Sequence, residues 1–220
     1  MSTPSINTPN DPRLVAAHYD PRAEKYPYEE AKLAHFVPQY RKFLREHSPA
    51  RLLDIGCGPG HLSGPLTRRL SVTGIDLSPG MVAHAAKKYP AGTWRVHDFH
   101  QPLPFNPGSF DTVVATGAFE FCYDIATVLK HVAAVLEPDG WLFFTHVDRR
   151  AGSGWHAAAS QQIASDLLPG VKFFLWSCAE VAVALEEAGL TADRYEHGPG
   201  WFNKRIGGDV EYGYWRAQKR

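Results

Sequence analysis

Cysteine is scarce in this chain. Three occur among 220 residues, Cys57, Cys122 and Cys178, far apart and with no C-x-x-C pair. A set so sparse and odd in number argues against a disulfide framework and against a structural zinc site, so no metal is expected. Long apolar runs are missing as well: no stretch is long enough to span a bilayer, and the first residues, M-S-T-P-S-I-N-T-P-N-D-P, lack the apolar region of a signal peptide. A cytoplasmic protein without a membrane partner is expected. Nor is there an excess of charge of one sign. Lys and Arg together number 23, as do Asp and Glu, and the basic pairs Arg68–Arg69, Lys87–Lys88, Arg149–Arg150 and Lys204–Arg205 are scattered. Without a concentrated positive field, no nucleic-acid partner is expected. Internal repeats are absent, and nothing in the composition fixes an oligomeric state.

What is present is an ordinary hydrophobic fraction of 44%, enough for one domain with a proper core. The polar, proline-rich residues 1–12 read as a disordered tail, and 13–220 as a single domain. A short helix is expected at Arg13–Asp20, and helical apolar spacing predicts a longer one at Tyr28–Glu46, interrupted by Pro38. Strand and helix then alternate. Strands are predicted at Arg51–Ile55, Val72–Ile75, Thr93–Val96, Thr112–Ala115 and Gly140–His146, and helices at Gly60–Arg69, Pro79–Lys88 and Ile125–Leu136. That alternation predicts an α/β fold, a parallel sheet with helices on both faces. A helix at Ala179–Ala188, stopped by Gly189, and strands at Thr191–His197 and Val210–Arg216 close the chain.

The most informative stretch is L-L-D-I-G-C-G-P-G, Leu52 to Gly60. An apolar strand ends in Asp54, and glycines follow at 56, 58 and 60, where a tight turn can bring backbone close to a ligand. A second acid, Asp76, ends the next strand-like run, V-T-G-I-D, a position suited to gripping a ribose through its hydroxyls. The dinucleotide fingerprint G-x-G-x-x-G is not met, because the third glycine comes one residue early and His61 stands in its place. A carboxylate at Asp54 would repel a pyrophosphate and attract an ammonium group.

D-x-G-x-G-x-G resembles the first motif of class I S-adenosylmethionine-dependent methyltransferases, in particular their small, minimally decorated branch. G-I-D-L-S-P-G-M (Gly74 to Met81), V-H-D-F (Val96 to Phe99), P-L-P-F-N-P-G-S-F-D-T-V-V (Pro102 to Val114) and L-E-P-D-G-W-L (Leu136 to Leu142) are similar to further motifs of that family, in its order. The likeness covers residues 50 to 147, with H-Y-D-P-R-A-E-K-Y (His18 to Tyr26) resembling the lead-in helix. It implies a Rossmann-like sandwich around a mostly parallel seven-stranded sheet with the last strand antiparallel. N-terminal helices or a lid would span 13–48, the cofactor-binding core 50–147, a substrate-covering insert 148–178, and a C-terminal helix and hairpin 179–220. The implied cofactor is S-adenosyl-L-methionine, leaving as S-adenosyl-L-homocysteine. Its ammonium would face Asp54, with the backbone of Gly56 and Gly58 along its methionine part. Asp76 would take the ribose hydroxyls and Asp98 the adenine amine, with the Phe99 N–H on a ring nitrogen. Leu77 and Met81 would sandwich the adenine, while Thr116 and Gly117 touch the methionine end.

The resemblance names no base, since the family has no universal one. His146, at the end of the fifth strand, His156 in G-S-G-W-H and Glu120 in G-A-F-E-F are the catalytic candidates. Aromatic residues recur around them: Phe119, Phe121, Tyr123, Trp155, Trp176, Trp201 and Phe202. They point to a small apolar or aromatic methyl acceptor. After the fourth strand the chain reads A-T-G-A-F-E-F, without the N-P-P-Y type of tetrapeptide of nucleic-acid amino methyltransferases or the P-C pair of cytosine-carbon enzymes. Two other readings compete: a nicotinamide-dependent reductase, and a protein that binds the cofactor without transferring a methyl group.

Overall fold

Adjacent apolar residues in the central strands part to opposite faces, as the period of two in a strand requires. Leu53, Val113, Leu142 and Phe144 enter one core cluster, while Leu52, Val114 and Phe143 enter another. The sheet is therefore buried on both sides. The computed structural model describes residues 9–26, 36–150, 162–164, 170–203 and 208–220. Its helices are α1 (Pro12–Tyr19), α2 (Phe36–His47), α3 (Pro79–Lys88), α4 (Ile125–Val135) and α5 (Cys178–Glu187). The strands are β1 (Arg51–Ile55), β2 (Ser71–Asp76), β3 (Thr93–Val96), β4 (Phe110–Ala115), β5 (Leu136–Asp148), β6 (Gln162–Ala164), β7 (Lys172–Trp176), β8 (Leu190–Asn203) and β9 (Gly208–Lys219). α4 and α5 cover the first face through Val128, Leu129, Val132, Val181 and Leu185, and α2 covers the second through Phe36, Tyr40 and Phe43.

β3, β2, β1, β4 and β5 pair in parallel in that order, and β9 lies antiparallel between β5 and β8. This is the mostly parallel α/β sheet with an antiparallel last strand that the resemblance implies, with nine strands among the described residues in place of seven, β6 and β7 coming from the 148–178 segment. Because β1 has β2 on one side and β4 on the other, the strand order reverses there. In such sheets ligands bind at the carboxyl ends of the strands beside that reversal; Asp54 lies near the end of β1, Asp76 ends β2 and Thr116 follows β4.

Four local differences have physical causes. Residues 60–69 form turns and a short 3-10 helix, Gly64–Arg68, instead of an α-helix. Pro65 lacks the N–H for an α-helical bond and disfavours helical dihedrals at Gly64. Pro38 lies within α2, two residues after its described start at Phe36; residues 27–35 lie outside the described set. Order reaches back into the expected tail: the Asn10 side chain donates to Lys172 O and accepts from Lys172 N, and Asp11 caps α1. The 148–178 segment carries the antiparallel pair β6–β7, and the end of β7 pairs in parallel with β5 at Val147 and Asp148.

Candidate active site

Three successive left-handed glycines shape the turn after β1, with φ of 68° at Gly56, 52° at Gly58 and 75° at Gly60. The N–H groups of Gly56 and Cys57 both donate to Ile75 O, at 2.8 and 3.0 Å, and tie the turn to β2. A Cβ on Gly56 would stand 2.4 Å from Ala118 Cβ, so only glycine fits. A Cβ on Gly58 would meet nothing within 4 Å. The main chain there faces open room, which is what close approach of a ligand needs.

Two acids border that room. Asp76 is held by two backbone donors, Gly58 N to Oδ2 at 2.8 Å and Ser78 N to Oδ1 at 2.9 Å. Each oxygen keeps further acceptor capacity. Burial raises its pKa, the Ser78 and Gly58 bonds oppose this, and the charge of Asp20 adds to it. Asp54 is 2% exposed and accepts from Ser63 Oγ at 2.5 Å. Burial pushes it up to about 7 against the Ser63 bond, with the Asp76 charge adding to the shift. Two acids that resist ionising side by side favour a cationic ligand and repel phosphates. The residues present fit a nucleoside carrying a diol and an ammonium group. Cys57 is buried, and burial pushes its thiol well above the usual range, so it packs and does not react.

At the end of β3, Asp98 Oδ1 accepts from both the backbone N and the ring Nδ1 of His100, at 3.0 and 2.8 Å. Burial alone would raise Asp98, but the His100 bonds outweigh it and hold the carboxyl below its ordinary value. The Phe99 ring packs 5.6 Å from Phe119. Leu77 is half-buried beside Tyr19 and Phe121. Met81 is 1% exposed in the free protein, packed in the first turn of α3. Gly117, at φ 65°, donates its N–H to Thr145 Oγ1 at 3.0 Å, and a Cβ there would come no closer than 3.9 Å to Phe36. Thr116 is half-buried at the end of β4.

The three catalytic candidates part company. His146 is fully buried, its Nε2 accepts from Trp215 Nε1 at 3.0 Å, and its Nδ1 lies 3.0 Å from Val147 O. An indole N–H can only donate, so the proton sits on Nδ1 and both nitrogens are used. His146 thus holds β5 to β9 and has no atom free to take a proton, contrary to the sequence expectation. His156 lies outside the described residues. Glu120, in the short 3-10 helix Phe119–Phe121, accepts from the Tyr212 hydroxyl at 3.4 Å through Oε1. Its Oε2 is buried and has no hydrogen-bond partner among the described residues. Burial pushes Glu120 up to about 7, opposed by its own backbone N–H and by Tyr212.

Sequence reasoning missed several neighbours. Asp20 Oδ1 accepts from Ser78 Oγ at 2.5 Å and from Gly80 N at 2.9 Å, docking the lead-in segment on the start of α3. The ring of His61 is hydrogen-bonded to the Tyr26 backbone, a second tie between that segment and the glycine turn. Burial raises the hydroxyls of Tyr19 and Tyr26, and the charges of Glu120 and Asp76 act on both. Phe36 meets Tyr212 edge-on at 5.1 Å. The H-Y-D-P motif was the one signal for Tyr19 and Asp20; nothing local marked Ser63, Phe36 or Tyr212. Of the aromatic candidates, Phe119 is core, and Trp176 is core with its Nε1 donating to Cys122 O at 3.0 Å. Phe121 and Tyr123 are half-buried. Trp155 and the side chains of Trp201 and Phe202 lie outside the described set.

Comparison with known proteins agrees with this geometry. Residues 53–144 match the methyltransferase domain family. A ubiquinone biosynthesis O-methyltransferase of Xanthomonas euvesicatoria is 33% identical over 161 residues, covering 69% of this chain and 67% of the relative. The enzyme of that name from Paracidovorax citrulli is 30% identical over 77% and 76% of the two chains. Among solved structures, an S-adenosylmethionine-dependent methyltransferase from Mesorhizobium loti superposes with a TM-score of 0.69 at 22% identity, over 83% of this chain and 96% of the other. An acid-bordered glycine turn at the switch point of this sheet, with these relatives, places the chain among the class I S-adenosylmethionine-dependent methyltransferases, enzymes that move a methyl group from that cofactor to a small-molecule acceptor.

Proposed function

We propose that the acceptor is an apolar, aromatic hydroxyl compound and that Glu120 takes its proton. The observation that carries this is the Glu120 carboxyl: poised near neutrality, its Oε2 buried and without a hydrogen-bond partner among the described residues, and bordered by Tyr212 with Phe36 behind it. A base works best with a pKa near the working pH. The relatives named as O-methyltransferases support a hydroxyl acceptor.

In this reading Asp54 receives the cofactor's ammonium, Gly56 and Gly58 line the methionine part, and Asp76 holds the ribose diol. Asp98 and the Phe99 N–H read the adenine, Leu77 packs on it, and Thr116 and Gly117 border the methionine end. Bound S-adenosylmethionine supplies a sulfonium methyl already activated for in-line displacement. The chain's part is to hold the acceptor oxygen in line, worth about 7–11 kcal/mol in favourable cases, and to accept its proton on Glu120 Oε2. Among the described residues all three cysteines are free and no helix is long and apolar enough to cross a membrane. The free thiols support a reducing, cytoplasmic setting.

A methyl-label transfer assay over matched phenols, aliphatic amines and carboxylic acids tests the reading. Label should pass to phenols in preference to the other two. Transfer confined to amines or carboxylates would overturn it.

A further inference from the structure

The geometry points to His100 as the residue that makes the cofactor site selective for adenine, by locking Asp98 as a pure hydrogen-bond acceptor. This inference rests on the cofactor assignment above. The imidazole is tightly placed. It stacks on Tyr123 with centroids 4.1 Å apart and rings 16° from parallel, and packs against Phe99 at 4.4 Å. Its side chain is 11% exposed. Tyr123 N–H donates to Nε2 at 3.4 Å. A nitrogen that accepts carries no proton, so the neutral ring carries its proton on Nδ1 and donates it to Asp98 Oδ1, 2.8 Å away.

The consequence falls on Asp98. Its Oδ1 already takes two bonds from His100, the ring Nδ1 and the backbone N. These fix the carboxylate plane and keep the group ionised, so that Oδ2, which takes neither bond, is the oxygen left for a ligand. Oδ2 can then only accept. An adenine offers an amino donor at its 6-position. A hypoxanthine offers a carbonyl there, and two acceptors would face each other. His97, the histidine on the other side of Asp98, donates its backbone N–H to Asp76 O at 2.9 Å, which ties the chain leading to Asp98 to the end of β2. His100 is therefore a positioning residue, acting through Asp98.

The test is calorimetric binding of S-adenosylhomocysteine and of its deaminated form, S-inosylhomocysteine, to the wild type, His100→Phe, His100→Asn and Asp98→Ala. Phenylalanine keeps a ring between Tyr123 and Phe99 but removes the donor. The wild type should strongly prefer the adenine form. His100→Phe should cut that preference by about tenfold or more, and His100→Asn, whose amide can donate to Oδ1, should restore most of it. A variant that is merely less stable would weaken both ligands alike and leave the ratio unmoved. If His100→Phe keeps the full ratio while Asp98→Ala loses it, His100 only packs and the inference falls alone. If Asp98→Ala also keeps the ratio, the adenine assignment of Asp98 falls with it.

Discussion

Glu120→Gln should lower turnover by about 10²–10⁴-fold, the usual worth of a general base, and leave affinity for S-adenosylhomocysteine nearly unchanged. Gln keeps the shape of Glu and an oxygen for the Tyr212 hydroxyl, but its amide cannot take a proton. In the wild type the rate should climb with pH through about 7, since Glu120 must be ionised to act and burial holds it up to that value. The variant should lose that limb. Unfolding does not confound the test. Glu120 keeps its proton in the folded state well above its ordinary pKa, so the stability tied to this group falls as pH rises from the unfolded value through about 7. Removing the charge should leave the variant no less stable than the wild type at pH 8. The check is single-turnover methyl transfer from pH 5.5 to 8.5 on any phenol the wild type accepts. A variant with the wild-type rate and the same limb would remove Glu120 from the chemistry.

Asp76→Ala should weaken S-adenosylhomocysteine binding by about a hundredfold or more. Hydrogen bonds to a charged group contribute about 1.5–3 kcal/mol each, and the ribose diol offers two. The substitution also strips Gly58 N and Ser78 N of their acceptor, so the glycine turn and the start of α3 lose a shared anchor. Asp76→Asn, which keeps one acceptor oxygen, should fall between. Calorimetric titration decides it, and unchanged affinity in Asp76→Ala would refute the ribose site.

What could be read from the chain was what is local. β1 and β3 fall on their sequence-predicted bounds, as does α3, capped by Ser78 with Pro79 in its first turn. The glycine turn was legible because only glycine tolerates positive φ at three alternate positions. The helix expected after it from strand–helix alternation is only a short 3-10 helix because the Gly64-Pro65 pair interrupts it. The long-range partners left no local trace. His146 looked like a base at a strand end; Trp215, 69 residues later, occupies its second nitrogen. Asp20 reaches Ser78 across 58 residues, and Tyr212 reaches Glu120 across 92. Such pairings depend on how α1 and β9 pack, and no periodicity encodes that.

The central claim is electrostatic, that buried acids at the glycine turn hold a cationic cofactor, and titration of S-adenosylhomocysteine at pH 8 and pH 6 tests it most directly. Asp54, held up to about 7 in the free protein, must give up its proton to meet the ammonium. Binding should therefore be micromolar at pH 8, about tenfold weaker at pH 6, and accompanied by proton release that Asp54→Asn abolishes. No binding at either pH, or an affinity indifferent to pH and to Asp54→Asn, would contradict it.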